Sequence, residues 1–244
     1  MRFLFGIGLA LCSAGASIAQ SNDGFQREPF GRYIGAHADV FGDGGSSNAG
    51  SDVRSLGIYY GINFQNGHVE FHVDAATFEL GSNDDEAYRI QVSYSPEFVG
   101  PSEIAFYAAR NFFGNYSTDV TEYGLSSNTI LDQTESWELY LSAAAFDLDG
   151  TIEPGLTAGI GYAPDSSNFA AELSFATYSF DSAAGVDLEY NFSDSGFILS
   201  GGGLVNQDGD AVARIGFEYR FGVDRQKFRP AITPYDVQLH FRGE

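Results

Sequence analysis

Three features of this sequence predict an all-β fold, an antiparallel transmembrane β-barrel of about 12 strands. Apolar and polar residues alternate with period two from about residue 32 to residue 221, the spacing that sends successive side chains to opposite faces of a strand. Most alternating runs are about 9–12 residues long, enough to cross a bilayer when tilted, whereas soluble strands usually run to five or six. Aromatic residues recur at the ends of the runs, as at Phe41, Phe64, Tyr94, Phe113, Phe180, Phe192 and Phe221, the level at which a membrane strand meets the headgroups.

Residues 1–19 read as a signal peptide. Arg2 supplies the positive start, Phe3 to Leu11 the apolar stretch, and Ser17-Ile18-Ala19 a small-x-small cleavage site. The single cysteine, Cys12, lies inside this segment, and the bulky Leu11 before it argues against a lipid anchor. The mature chain therefore carries no disulfide. Residues 20–31 form an N-terminal segment, and the barrel is expected over 32–221.

Within it, Leu56, Ile58, Tyr60, Ile62 and Phe64 make one apolar face, and the Gln65-Asn66-Gly67 turn leads to Val69, Phe71, Val73 and Ala75 on the next. Tyr88, Ile90, Val92 and Tyr94 continue the pattern, followed by Ile104-Phe106-Ala108, Trp137-Leu139-Leu141-Ala143 and Phe169-Ala171-Leu173-Phe175. Val186-Leu188-Tyr190-Phe192 and Phe197-Leu199 precede the last run, 211–221. Eleven strands are clear, at about 32–41, 54–64, 68–80, 87–96, 102–113, 136–147, 156–163, 168–180, 185–193, 196–205 and 211–221. Bacterial barrels carry an even number, so a twelfth is needed. One candidate lies within 118–130, where alternation is poor, and leaves 222–244 as a periplasmic tail. The other is a final strand at 235–241, Tyr235-Asp236-Val237-Gln238-Leu239-His240-Phe241. The first is preferred.

The last run carries a second signal. Arg214, Gly216, Tyr219 and Phe221 fall on the polar, glycine and two aromatic positions of the insertion signal of bacterial outer-membrane β-barrels, which this stretch resembles. Residues 30 to 221 as a whole look like an outer-membrane barrel of porin-like type from a Gram-negative bacterium. Residues follow the final aromatic, however, and the chain is short for a sixteen-stranded porin. The resemblance implies residence in the cell outer membrane, with three kinds of partner: outer-membrane lipid, the barrel-insertion machinery and small hydrophilic solutes. It implies passive passage, without cofactor or catalytic step.

Charge narrows the function further. Thirty-three acidic residues oppose twelve basic ones, for a formal net charge of −21, and Lys227 is the only lysine. No basic footprint for nucleic acid exists, nor a polybasic patch for an anionic leaflet. Residues expected to face the lumen, opposite the apolar faces, are His68, Glu70, His72, Asp74, Arg89, Glu138, Glu172, Asp187, Glu189, Arg214, Glu218 and Arg220. Arg32, Arg54, Arg89 and Arg110 would pair, where they point inward, with carboxylates such as Glu70, Asp74 or Glu138. Arg214 and Arg220 would do so with Glu172, Asp187, Glu189 or Glu218. If such pairs leave carboxylates over, the lumen favours cations.

His68, Glu70, His72 and Asp74 share one strand face, but residues i and i+4 on a strand stand about 13 Å apart at about 3.3 Å per residue. Zinc needs its ligands at about 2 Å, so the four cannot share an ion and no metal site is assigned to this strand alone. A same-face pair could bind one only with help from a neighbouring strand. The sequence does not place His37 and Asp39 near it.

No nucleophile elbow, phosphate loop or zinc-protease helix occurs. Asp147-Leu148-Asp149-Gly150-Thr151 and Asp208-Gly209-Asp210 lack the spacing of a calcium loop and read as acidic turns. Two alternatives stand beside the channel: a closed barrel whose loops or basic tail (Arg225, Lys227, Arg229) contact partners, and a soluble exported β-sandwich that binds ligands.

Overall fold

The computed structural model describes residues 33–43, 53–64, 67–80, 83–96, 102–114, 119–164, 167–179, 181–192, 195–221 and 230–241. The signal segment, residues 20–31, Arg32 and the basic residues Arg225, Lys227 and Arg229 lie outside them. Twelve strands follow one another: β1 (Tyr33–Asp43), β2 (Val53–Phe64), β3 (Gly67–Leu80), β4 (Asn83–Pro96), β5 (Ser102–Phe113), β6 (Val120–Ile130), β7 (Trp137–Leu148), β8 (Thr151–Tyr162), β9 (Phe169–Tyr178), β10 (Asp181–Phe192), β11 (Phe197–Asn206) and β12 (Ala211–Phe221). Each pairs antiparallel with its neighbours in sequence, and β12 returns to β1 with Ile34 opposite Phe221. The sheet is closed, which removes both edges. That closure excludes the sandwich, which is two packed sheets.

The twelfth strand is β6. The alternative final strand at 235–241 is corrected by the structure: Pro234–Phe241 is a helix, α1. Two causes act together. The barrel closes without this segment, so no strand edge is left for it to join. Its start also carries a helix-capping arrangement, with Thr233 as N-cap, Pro234 at the first helical position and Asp236 two residues later. Asp236 Oδ2 accepts from the Thr233 N–H and hydroxyl, both at 2.7 Å, and the Asp236 N–H reaches Thr233 Oγ1 at 3.4 Å.

Alternation sorts the side chains cleanly. Leu56, Ile58, Val73, Ile90, Leu173, Leu188 and Ile215 are all exposed on the outside. An apolar outer wall of this extent belongs against lipid. At the end where β1 begins and β12 finishes, here the terminal end, outward aromatics form a belt. Trp137 stacks near Tyr162 at 4.6 Å between centroids, Phe169 near Tyr190 at 4.8 Å and Phe197 near Tyr219 at 4.8 Å. Phe41 and Phe113, expected in such a girdle, instead point inward at the opposite, distal end, where both are buried.

That distal interior is an apolar cluster. Phe41, Val53, Ala87, Phe113, Val120, Phe146, Leu204 and Val212 converge from strands all round the barrel on Ile232, Tyr235 and Val237 of the C-terminal segment. The segment climbs the inner face of β9: Ala231 N–H donates to Glu172, Ile232 N–H to Ser174 Oγ at 3.1 Å, and Gln238 Nε2 to Tyr178 Oη at 3.2 Å. Residues 230–241 thus lie inside the barrel instead of forming a tail beyond it. Asp149 and Gly150, with φ of 50° and 88°, make the two-residue turn between β7 and β8. This is the geometry of a tight hairpin, and Asp147 Oδ1 caps it by accepting from the Gly150 N–H at 2.8 Å.

Candidate functional site

Below the apolar cluster the lumen becomes polar around a cavity of about 270 Å³. Strand parity puts all twelve charged residues singled out in the sequence on the inner face. Glu70, His72, Asp74, Arg89, Asp187, Glu189, Arg214, Glu218 and Arg220 line the cavity. His68, Glu138 and Glu172 are buried in the wall, with His68 Nδ1 at 2.6 Å from Asn63 Oδ1, apart from His72 and Asp74.

Arginines hold the carboxylates in three groups. Arg214 donates through Nε and Nη2 to Asp39 Oδ1, at 3.0 and 2.9 Å, and through Nη1 to Asp187 Oδ2 at 3.1 Å. Arg220 donates to Glu218 at 2.6 and 2.8 Å and to Tyr59 Oη at 3.2 Å, while the Tyr59 hydroxyl donates to Glu218. Arg89 donates to Glu122 at 2.5 Å, Asn111 at 3.0 Å and Gln91 at 2.8 Å. Its guanidinium also lies over the Tyr235 ring, 5.0 Å from the centroid. Pairing of this kind is the condition for keeping ions in a closed wall, since a buried charge without a partner costs several kcal/mol.

Some of these partners were open to inference from sequence and some were not. Asp187 for Arg214 and Glu218 for Arg220 are among the expected pairings. Arg89 takes Glu122 rather than Glu70, Asp74 or Glu138, and Glu122 escapes notice because it sits in the poorly alternating run 118–130. Arg110 points outward and pairs with Asp119 at 2.8 Å, and Arg54 is also exposed. His37 and Asp39 come in from β1, placed beside β3 by the register of β2. Their alternation with Ala38 and Val40, which face outward, was the available signal for their facing inward. Tyr59 is likewise an inward member of its strand, and its hydroxyl bonds to both Glu218 and Arg220.

α1 adds a neutral polar group to this wall. His240 is buried, its ring 4.3 Å from that of Phe41, and neither ring nitrogen has a hydrogen-bond partner among the described residues. Burial, reinforced by the Arg214 charge, pushes this imidazole down to about 3.

No protein-family model matches the chain, and no curated protein does. Solved structures do match in fold. The chain is similar to a structure described as KdgM porin, with a TM-score of 0.58 at 13% identity over 78% of this chain and 99% of that one. It is also similar to one described as the KdgM porin in complex with disordered oligogalacturonate, at 0.56, 14% identity and coverage of 78% and 99%. A NanC porin structure gives 0.58 at 10% identity, covering 75% of this chain and 98% of that one. The closed twelve-stranded sheet, the lipid-compatible outer wall and the polar interior define an outer-membrane β-barrel. Its architecture is porin-like and its place is the cell outer membrane.

Proposed function

We propose that the chain is a passive, porin-like channel for small hydrophilic solutes, biased toward cations. The observation that carries this reading is the lumen itself, a polar cavity that, among the described residues, carboxylates line in greater number than arginines. Asp39, Glu70, Asp74, Glu122, Asp187, Glu189, Glu218 and Asp236 border it against Arg89, Arg214 and Arg220. Wall charge of one sign selects solutes of the other. An oligogalacturonate carries a carboxylate on each sugar, so the oligosaccharide bound to the KdgM porin is a poor match for this wall. Small neutral or cationic solutes suit it better.

Outer-membrane lipid is the partner proposed for the apolar exterior. The insertion machinery is the partner for Arg214, Gly216, Tyr219 and Phe221, with Tyr219 and Phe221 presented outward where another protein can read them.

A second reading, a closed barrel with a structural or surface-interaction role, is favoured by one observation: α1 fills the distal end. Single-channel recording in a planar bilayer separates the two. The channel reading expects discrete steps and a cation-selective reversal potential in a salt gradient. It also expects a several-fold larger step when residues 222–244 are deleted, which leaves Phe221 as the final residue. Silence from both proteins, with insertion demonstrated, would establish the closed barrel.

A further inference from the structure

We infer that His37, His72 and Asp74 form a binding site for one divalent transition-metal ion of the zinc class, facing the middle of the lumen. The site is assembled by strand register. His37 on β1 stands opposite Gly57 on β2, and Gly57 stands opposite Asp74 on β3. A side chain at position 57 would separate the outer two strands' residues. A Cβ there would lie 2.2 Å from Asp74 Oδ1 and 2.3 Å from His37 Cε1. The glycine therefore leaves a notch through which β1 and β3 touch across the strand between them. His72, two residues before Asp74, shares its face, so the three ligands come from two strands and converge.

The geometry fits a metal ion in three respects. Asp74 Oδ1 lies 3.2 Å from His37 Nε2 and 3.1 Å from His72 Nε2. Bonds of about 2.0 Å at tetrahedral angles place neighbouring ligand atoms about 3.3 Å apart, so both edges are already at the required length. One donor atom from each of the three side chains falls within 4.8 Å of the others, so a small turn of the two rings toward the tetrahedral edge of about 3.3 Å would bring all three onto one ion. The side chains are only 18%, 18% and 14% exposed, and all three border the lumen cavity. That leaves a fourth position for water or a passing ligand. The rings are also held: His37 and His72 meet edge to face at 5.6 Å, and Tyr59 packs edge to face on His72 at 5.9 Å.

Two imidazoles and a carboxylate suit borderline ions such as Zn²⁺, Co²⁺, Ni²⁺ or Cu²⁺. Ca²⁺ and Mg²⁺ prefer an all-oxygen shell. The same two contacts can serve as N–H···O bonds from the imidazoles to Asp74, and an arriving ion would take the nitrogen lone pairs after the ring protons move to Nδ1. The site does not depend on whether the barrel conducts.

Titration of the folded, detergent-solubilised protein with Co²⁺ and Zn²⁺ tests this. One equivalent of Co²⁺ should give visible d–d absorption that Zn²⁺ removes and excess Mg²⁺ does not. His37→Gln, His72→Gln and Asp74→Asn should each weaken binding by about tenfold or more, and His68→Gln should leave it unchanged. Zn²⁺ should also shield two histidines of the unaltered protein from carbethoxylation, a readout that needs no variant to fold. Displacement by Mg²⁺ would show diffuse attraction to an acidic lumen and overturn the proposal. Retention of full affinity in the folded His37→Gln, His72→Gln double variant would do the same.

Discussion

The distal end and the middle of the lumen use the same strands, and the change between them takes two residues. On β1 the inward side chain passes from Phe41 to Asp39, on β4 from Ala87 to Arg89 and on β5 from Phe113 to Asn111. On β6 it passes from Val120 to Glu122 and on β12 from Val212 to Arg214. One step of the pleat, about 6.6 Å, separates an apolar ring from an ionised one. The distal ring is filled from within by Ile232, Tyr235 and Val237, and burial of apolar area is what chiefly holds it together. The middle ring meets the same segment through polar contacts, Ala231 N–H on Glu172 and the Tyr235 ring under Arg89, and is held chiefly charge against charge. The difference teaches that this interior is not a uniformly wet pore. It has an apolar seat for a helix and a polar chamber beneath it.

The two regions should therefore fail differently. In the middle ring the largest effect falls on Arg89 and Glu122, whose ion-paired side chains are 9% and 2% exposed. Glu122→Ala leaves a guanidinium without its charge partner in a closed wall, and the expected loss is about 3–5 kcal/mol, read from urea unfolding in detergent or lipid. The double variant Arg89→Met, Glu122→Leu removes both charges and should lose much less. Equal losses in the two proteins would mean that the ring is held by packing, as the distal one is, and the contrast would disappear.

Legibility in the sequence divides along the same line. The barrel could be read because lipid enforces alternation on every strand, and a one-residue slip in register would turn the apolar wall inward. Strand parity likewise put residues such as Asp187 and Arg220 on the inner face. What alternation leaves open is which inward residues meet, since that depends on the shear of the closed sheet. His37 meeting Asp74 required the paired registers of β1, β2 and β3 and a glycine at position 57. Glu122 was hidden by its irregular run. The helix was hidden differently, because Tyr235 to Phe241 alternate well enough to pass for a strand. The Thr-Pro-Tyr-Asp signature of Thr233 to Asp236 outweighs that pattern once no edge is free.

At the distal end the next effect is a response to pH. His240 of α1 has its ordinary value of 6.5 lowered to about 3 by burial, with the Arg214 charge acting in the same direction. A lowered histidine means that the docked helix requires the neutral ring. Its contribution is complete above about 6.5 and is lost as pH falls from there toward 3, by at most about 1.4 kcal/mol per unit. Burial raises Asp236 on the same helix, and that group works in the opposite sense. Conductance or protease access to the C-terminus should accordingly rise between pH 6 and pH 4, and His240→Leu should flatten the response. A response unchanged by that substitution would move the cause to the carboxylates of the middle ring.

The smallest effect sharpens the comparison most, because it touches the helix and leaves both rings intact. Thr233→Ala removes the side-chain half of the cap and leaves the Asp236 carboxylate with only the backbone N–H at 2.7 Å. Loss of an N-cap costs about 1 kcal/mol, which is about a fivefold shift in the balance between docked and undocked helix. Barrel stability in urea should stay put while proteolysis of the C-terminal segment accelerates by about that factor. Thr233→Ser, which keeps the hydroxyl, should restore the slow rate. If Thr233→Ala instead lowered barrel stability as much as Glu122→Ala, helix and wall would unfold as one unit. The distal seat would then be part of the barrel's core and not a place where a separable segment docks.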